Sequence, residues 1–202
     1  MKRSIMEENT LFFSRIICYT FLIINGWREH EMEISLKKAT KTDYEKIMAL
    51  IEQAKTFLNQ QGSPQWQNGY GPTKEQILED IEKEESYLLV ANNQIVGTAA
   101  LVSGIDPVYT AIIGDWKKTE TAYVSIHRVA IDGTIRGKGL AKQLLNGLVS
   151  IAKEKGIKDV RIDTYPANII MEKAIFSSGF TYQGMIEFSI PDGERKAYQF
   201  AV

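Results

Sequence analysis

The chain has 202 residues, 44% of them apolar and 24% charged, enough to bury the core of a single globular domain. Its 24 Lys and Arg nearly cancel its 25 Asp and Glu, and a net charge of −1 argues against a general nucleic-acid binder or a polybasic membrane anchor. A single cysteine, Cys18, rules out an intrachain disulfide and a Cys-based metal site, and it suits a reducing, cytoplasmic setting.

Residues 1–31 read differently from the rest. Their apolar run, 16–24, is shorter than the roughly 20 residues that span a bilayer. Glu7 and Glu8 interrupt the basic start of a signal peptide, and Asn25-Gly26-Trp27 is a poor cleavage site. Trp27 must be encoded TGG, and an AGG codon at Arg28 would spell a ribosome-binding sequence ahead of Met32. We therefore expect the domain to be residues 32–202, with Met32 the true start and the leader a mis-assigned extension. An accessory helix or a targeting segment is the alternative.

From residue 33 the hydrophobic pattern is regular. Residues 33–39 alternate as a strand. Thr42, with Glu45 three residues on, forms a capping-box pattern that opens a helix with an apolar stripe of Ile47, Leu50, Ile51, Ala54 and Leu58. The stretch 62–72, GSPQWQNGYGP, is a Gly/Pro loop carrying two aromatic residues, Trp66 and Tyr70. A short amphipathic helix over 73–84 turns Ile77, Leu78 and Ile81 inward. Two β-runs joined at Asn92-Asn93 make a hairpin, a polar loop over 104–120 holds Tyr109 and Trp116, and 122–131 is the longest strand candidate. Ala141, Leu144, Leu145, Leu148 and Ala152 recur at helical spacing up to Gly156. A strand over 159–165, a helix stopped by Gly179 and two strands around the Asp192-Gly193 turn close the chain. The order β-α-α-β-β-β-α-β-α-β-β describes a mixed α/β single domain.

The stretch 126–145, IHRVAIDGTIRGKGLAKQLL, runs from strand through a Gly-rich turn into helix. Such a junction points several backbone N–H groups at one spot, where the helix dipole adds partial positive charge. Gly137 and Gly139 permit close approach, and Arg136 and Lys138 add side-chain charge. A solvated turn with two cations is the plain alternative. The P-loop pattern fails, because Gly139 rather than Ser or Thr follows Lys138. The dinucleotide fingerprint fails at Lys142, where a third Gly or Ala belongs. The pattern [QR]-x-x-G-x-[GA] is met by Arg136-Gly137-Lys138-Gly139-Leu140-Ala141.

On this hexapeptide, the preceding strand ending VAID, the segment DVRIDTYPAN and the helix NIIMEKAIFSSGF, the chain resembles the GNAT acetyltransferase superfamily over residues 33–202. The resemblance implies the GNAT fold: α/β (α+β), a central mixed, mostly antiparallel sheet flanked by helices. It also implies acetyl-CoA as co-substrate, with Arg136 and the backbone of Gly137, Lys138, Gly139, Leu140, Ala141 and Lys142 around its pyrophosphate. Main-chain groups of Val129 and Ile131 would pair with the pantetheine arm as an added strand would. Asn168 matches the family's usual pantetheine contact, and a helix N-cap role is compatible with that.

Acetyl transfer to an amine needs a proton acceptor and a held carbonyl. His127 is the only histidine after the leader. It stands where arylalkylamine N-acetyltransferases, a related group, carry a histidine on the catalytic strand. Ser125, two residues earlier, would position a water, and strand alternation puts Ser125, His127 and Val129 on one face. A structural histidine is the other reading. Ile175 stands where many family members have a Tyr acid, which leaves Tyr165 as a substitute or no acid at all. By the same resemblance Trp66, Tyr70, Tyr109 and Trp116 flank the acceptor cleft, with Asp106, Asp115 and Glu120 as countercharges. Rim packing and solvated carboxylates are the alternatives.

The sequence thus reads as a cytoplasmic, acetyl-CoA-dependent N-acetyltransferase acting directly on the primary amine of a small molecule. No metal, nucleic acid or membrane is expected, and a homodimer is compatible with the reading. The rivals are a protein or peptide N-acetyltransferase and a non-catalytic acyl-CoA-binding sensor.

Overall fold

Eight strands form one sheet in the order β1-β2-β3-β5-β6-β8-β7-β4 in a computed structural model that describes residues 32–117, 122–135 and 137–201. The leader, Glu120 and Arg136 lie outside the described residues. β1 (Ile34–Lys38), β2 (Ser86–Ala91) and β3 (Gln94–Ser103) are an antiparallel meander. Asn92 and Asn93 turn the β2–β3 hairpin with φ of 47° and 63°, the left-handed pair that a two-residue hairpin turn requires. β5 (Tyr123–Ile131) pairs antiparallel with β3 and parallel with β6 (Asp159–Thr164), the one parallel contact in the sheet. β8 (Glu194–Ala201), β7 (Thr181–Glu187) and the short β4 (Ile113–Gly114) complete it antiparallel.

Helices cover both faces. α1 (Tyr44–Gln60) and α2 (Lys74–Glu82) bury Ile47, Leu50, Ile51, Ile77 and Ile81 against Leu88 and Ala130. α4 (Leu140–Glu154) packs on the opposite face. Its Gly147 lies so close to β1 that a Cβ there would meet Leu36 Cδ1 at 2.7 Å, and Leu36 pairs with Leu89, which alternates with Leu88. Leu144, Leu145 and Leu148 of α4 are fully buried, each worth about 1.5–3 kcal/mol in removed apolar surface. α5 (Ile169–Ser177) follows β6.

Three local expectations are corrected. The capping box lies two residues earlier than Thr42 and Glu45: Asp43 Oδ2 accepts from the Thr40 backbone N–H at 2.9 Å, and a 3₁₀ turn over Lys41–Asp43 leads into α1. The stretch expected as loop contains a one-turn α3 (Pro107–Thr110), begun by Asp106 accepting from Val108 N–H at 3.0 Å with Pro at the first helical position, as well as β4. At ten residues, β3 rather than β5 is the longest strand.

β5 also breaks the simple alternation. Thr98 pairs with Ala130 but Ala100 with His127, so Arg128 and Val129 together face Ala99 in a β-bulge, with Arg128 at φ 56°. Ala130, not Val129, therefore shares the face of His127. Pairing with β6 covers only Tyr123 to Ile126, although both strands run further. A bulge bends and twists its strand, and beyond Ile126 the two parallel neighbours part.

Candidate active site

The gap between β5 and β6 opens into a cleft of about 890 Å³. One wall is the far half of β5, from His127 to Ile131, with Asp132 just beyond it. Another is the glycine loop and first turn of α4, Gly137 to Lys142, and a third is formed by Asn168, Met171 and Ala174 of the α5 segment. Trp66 and Tyr70 of the Gly/Pro loop line it as well. Every cofactor residue expected from sequence and described here thus borders one cavity: Val129, Ile131, Gly137, Lys138, Gly139, Leu140, Ala141, Lys142 and Asn168.

Local chemistry explains the walls. Gly137 (φ 74°) and Gly139 (φ 67°) are both left-handed, with no atom within 4 Å of where a Cβ would stand. Their requirement is conformational, and the space beside them is open to a ligand. Gly139 is the N-cap of α4 and makes no side-chain cap, so the first N–H groups of a 15-residue helix are left to an anion. Past Ile126 the β6-facing backbone edge of β5 has lost its strand partner, so it can accept an extended, amide-bearing chain. Asn168 caps α5, accepting from Met171 N–H at 3.1 Å, while its Nδ2 donates to Gln65 Oε1 at 3.2 Å and ties α5 to the Gly/Pro loop.

The bulge has its own anchor. Arg128 Nε and Nη2 each donate to an Asp80 carboxylate oxygen at 2.6 Å, a two-pronged pair reaching from β5 to the inner side of α2. Asp80 is 6% exposed. It stands in the apolar stripe between Ile77 and Ile81, where a lone carboxylate is the sequence signal for a buried partner.

Where the cleft reaches His127, the imidazole sits between two carboxylates, of which Asp163 borders the cavity and Asp106 does not. Its Nε2 is 3.5 Å from Asp106 Oδ2 and its Nδ1 is 4.0 Å from Asp163 Oδ1. Asp163 accepts from the Tyr109 hydroxyl at 2.8 Å. Burial, then the neighbouring Arg128 cation, holds the imidazole down at about 3, so it is neutral at pH 7. Burial pushes the Asp163 carboxyl up to about 6, with the Tyr109 hydroxyl and Arg195 pulling it back. Burial beside Asp163 also raises the Tyr109 phenol, which therefore stays a donor. Ring contact with Tyr109, at 5.9 Å between centroids, fixes the imidazole plane.

Other expected residues fall away from the cleft. Tyr109 is fully buried rather than on an exposed rim, because α3 tucks it under β7 and β8 with Ile186 and Ala197. Trp116 donates its indole N–H to Tyr109 O at 2.8 Å and carries the Arg161 guanidinium 4.2 Å above its ring, so it packs the core beside the site. Ser125 is 1% exposed with an unbonded hydroxyl, shares the face of His127 and does not border the cleft. Tyr165 does not border it either; its ring lies 5.5 Å from the Arg195 guanidinium. Ile175 is fully buried, so in this chain the α5 position expected to bear an acid points into the core. Asp115 is outside the cleft wall too.

Sequence reading missed Asp163 and Arg195, both of which line the cleft. The signal for Asp163 was present in DVRIDT, where charges alternate along an otherwise apolar central strand. Among the described residues no group of three or more His, Cys, Asp or Glu could hold a metal ion, and no helix is long and apolar enough to cross a membrane.

Known proteins bear on this geometry at several levels. An L-2,4-diaminobutyric acid acetyltransferase from Streptomyces coelicolor is 30% identical over 100 residues, which are 49% of this chain and 58% of that protein, so the chain spans little more than half of that relative. A GNAT family acetyltransferase from Streptococcus agalactiae superposes with a TM-score of 0.76 at 31% identity, over 84% of this chain and 95% of the other. AAC(6')-Ib, solved with ribostamycin and coenzyme A, shares the fold at a TM-score of 0.60 and 19% identity, over 84% of this chain and 93% of its own. The model of the Acetyltransferase (GNAT) family matches residues 49–180, taking in both arms of the divided strands and the glycine loop between them. The chain belongs to the GNAT family of acetyltransferases.

Proposed function

We propose that the protein transfers the acetyl group of acetyl-CoA directly to the primary amine of a small molecule, within a ternary complex in the cytoplasm. The observation that carries this reading is the continuity of the cleft: one cavity joins the glycine loop, the unpaired edge of β5 and His127. Gly137 to Lys142 would hold the pyrophosphate through main-chain N–H groups, and Val129 and Ile131 would pair with the pantetheine amides. A relative named for acetylating diaminobutyric acid supports a small amine as acceptor.

Bound acetyl-CoA supplies a thioester carbonyl as electrophile. The amine nitrogen forms a bond to that carbon and the C–S bond breaks; the amine gives up one proton and the departing thiolate takes one. His127, neutral at rest, receives the amine proton, and Asp106 and Asp163 favour the imidazolium that results. α5 carries no tyrosine, and buried Ile175 stands at the position expected to bear one, so the thiolate leaves on its own acidity and takes its proton from solvent. Trp66 and Tyr70 form the outer wall of the acceptor space.

The test is CoA thiol release with acetyl-CoA and a panel of small amines. Turnover saturable in both substrates, with intersecting double-reciprocal lines and no acetyl-enzyme, is expected. Saturable acetyl-CoA binding without turnover on any amine would overturn the reading in favour of a binding module, and turnover on peptides alone would make the protein a peptide acetyltransferase. Gly139→Val is expected to weaken acetyl-CoA binding about tenfold by calorimetry, because a β-branched residue in the left-handed region costs about 1–2 kcal/mol. Gly139→Asn, which tolerates that conformation, should lose much less.

A further inference from the structure

Arg195 is a buried, charged side chain of the cleft wall that the acetyl-transfer scheme leaves without a task. It is 6% exposed, yet it borders the cavity. Its Nη1 is committed to the main chain, donating to Asp192 O at 2.6 Å and Glu194 O at 2.7 Å. Those two bonds fix the guanidinium at the start of β8. Nε and Nη2 make no hydrogen bond or ion pair among the described residues, so the remaining donors of a rigid fork are unspent. A buried cation with free donors is costly unless something accepts from them.

The sheet register says what lies beside it. Asp163 pairs with Ala197, and Arg195 is two residues along β8 on the same face, a diagonal neighbour at roughly 7–8 Å between Cα atoms. Asp163 feels this cation, but no ion pair closes between them. The rings of Tyr165 and Phe188, 5.5 and 5.6 Å from the guanidinium carbon, shield it from solvent on two sides. The acceptor end of the cleft therefore offers a negative group beside His127 and, a short step away, a positive fork with open donors.

We infer that the acceptor is an amine that also carries a carboxylate, an amino acid, with its carboxylate on Nε and Nη2 of Arg195 and its amino group between Asp163, Asp106 and His127. This rests on the proposed amine acetylation and narrows its substrate class. Planar two-point recognition of a carboxylate is what a guanidinium does better than an ammonium. A buried site built for a polar group rejects analogues that lack it, because its own donors then go unmet. Arg195 is thus a specificity residue, and it takes no part in the proton transfer.

The test pairs each amino acid with the amine left when its carboxyl group is removed: lysine with cadaverine, ornithine with putrescine, phenylalanine with phenethylamine. Within the preferred pair kcat/KM is expected to favour the amino acid by about 10²-fold. Arg195→Met should bring the ratio close to one while leaving acetyl-CoA affinity unchanged, and Arg195→Lys should restore part of it. Amines turned over as well as their amino acids by the unaltered protein would overturn the inference and leave amine acetylation standing. If no acceptor is turned over, calorimetry of N-acetyl amino acids against their amides, with CoA present, decides separately. Carboxylate-dependent binding lost in Arg195→Met would sustain the anchor without the reaction, and no such binding would overturn it.

Discussion

Asp80→Ala is expected to lower the unfolding free energy by about 3 kcal/mol and to weaken acetyl-CoA binding at the same time, although Asp80 borders no part of the cleft. The loss is large because removing one partner strands the other charge. Arg128 would keep a guanidinium pointed at a helix face built from Ile77 and Ile81, with nothing to accept from it. Burial raises the Asp80 carboxyl above its ordinary range even with Arg128 present, so the pair is held by mutual need and not by easy solvation. Arg128 is also the left-handed residue of the bulge, a conformation that costs a side-chain-bearing residue about 1–2 kcal/mol. Without Asp80 the strand can relax toward regular pairing, which would turn the cleft-facing backbone of Val129 and Ile131. Urea unfolding and acetyl-CoA titration read the two effects. In Asp80→Ala/Arg128→Met the stability loss should shrink, because no charge is stranded, whereas binding should stay impaired. Recovery of binding in the double variant would show that the pair holds the fold only and does not set the bulge.

His127→Ala is expected to reduce kcat by about 10²-fold with acetyl-CoA affinity unchanged. The imidazole is the nitrogen base nearest both carboxylates, and its neutrality at pH 7 follows from burial. Asp106 and Asp163, 3.5 and 4.0 Å from its two nitrogens, are the groups placed to supply countercharge when it takes a proton. Asp163 adds a pH signature. With a folded value of about 6, it is ionised at pH 7 and becomes neutral as the pH falls through 6, removing part of the countercharge for the imidazolium. The rate should therefore fall on the acid side with a component near pH 6 that Asp163→Asn abolishes, beyond the loss of neutral amine. Unchanged kcat in His127→Ala, with the amine alone setting the pH profile, would demote His127 to a packing residue of the Tyr109 cluster.

Much of the fold was legible because its signals are local. Apolar periodicity located the strands and helices, Asn92-Asn93 marked a hairpin, and glycines marked the ends of α4 and α5. The glycine loop was legible for the same reason: a strand, two left-handed glycines and a helix N-terminus are consecutive in the chain. What failed involved partners distant in sequence. Tyr109 and Trp116 sit in a polar stretch and are expected from sequence to flank the acceptor cleft, but α3 carries Tyr109 into the core against Ile186 and Ala197, more than 70 residues further along. The expected shared face of His127 and Val129 failed because a bulge adds one residue against Ala99, and periodicity cannot register an extra residue.

The sequence by itself determined the strand–glycine loop–helix junction and the order of most elements, since both depend on backbone conformations that neighbouring residues dictate. Tertiary structure alone decided which charges gather around His127. Asp106 and His127 are 21 positions apart, while Asp163 and Arg195 meet diagonally across β6 and β8. Asp80 holds Arg128 from 48 residues away. The strength of each of these interactions, and each pKa shift that follows, comes from burial, and burial belongs to the assembled sheet and not to any segment of the chain.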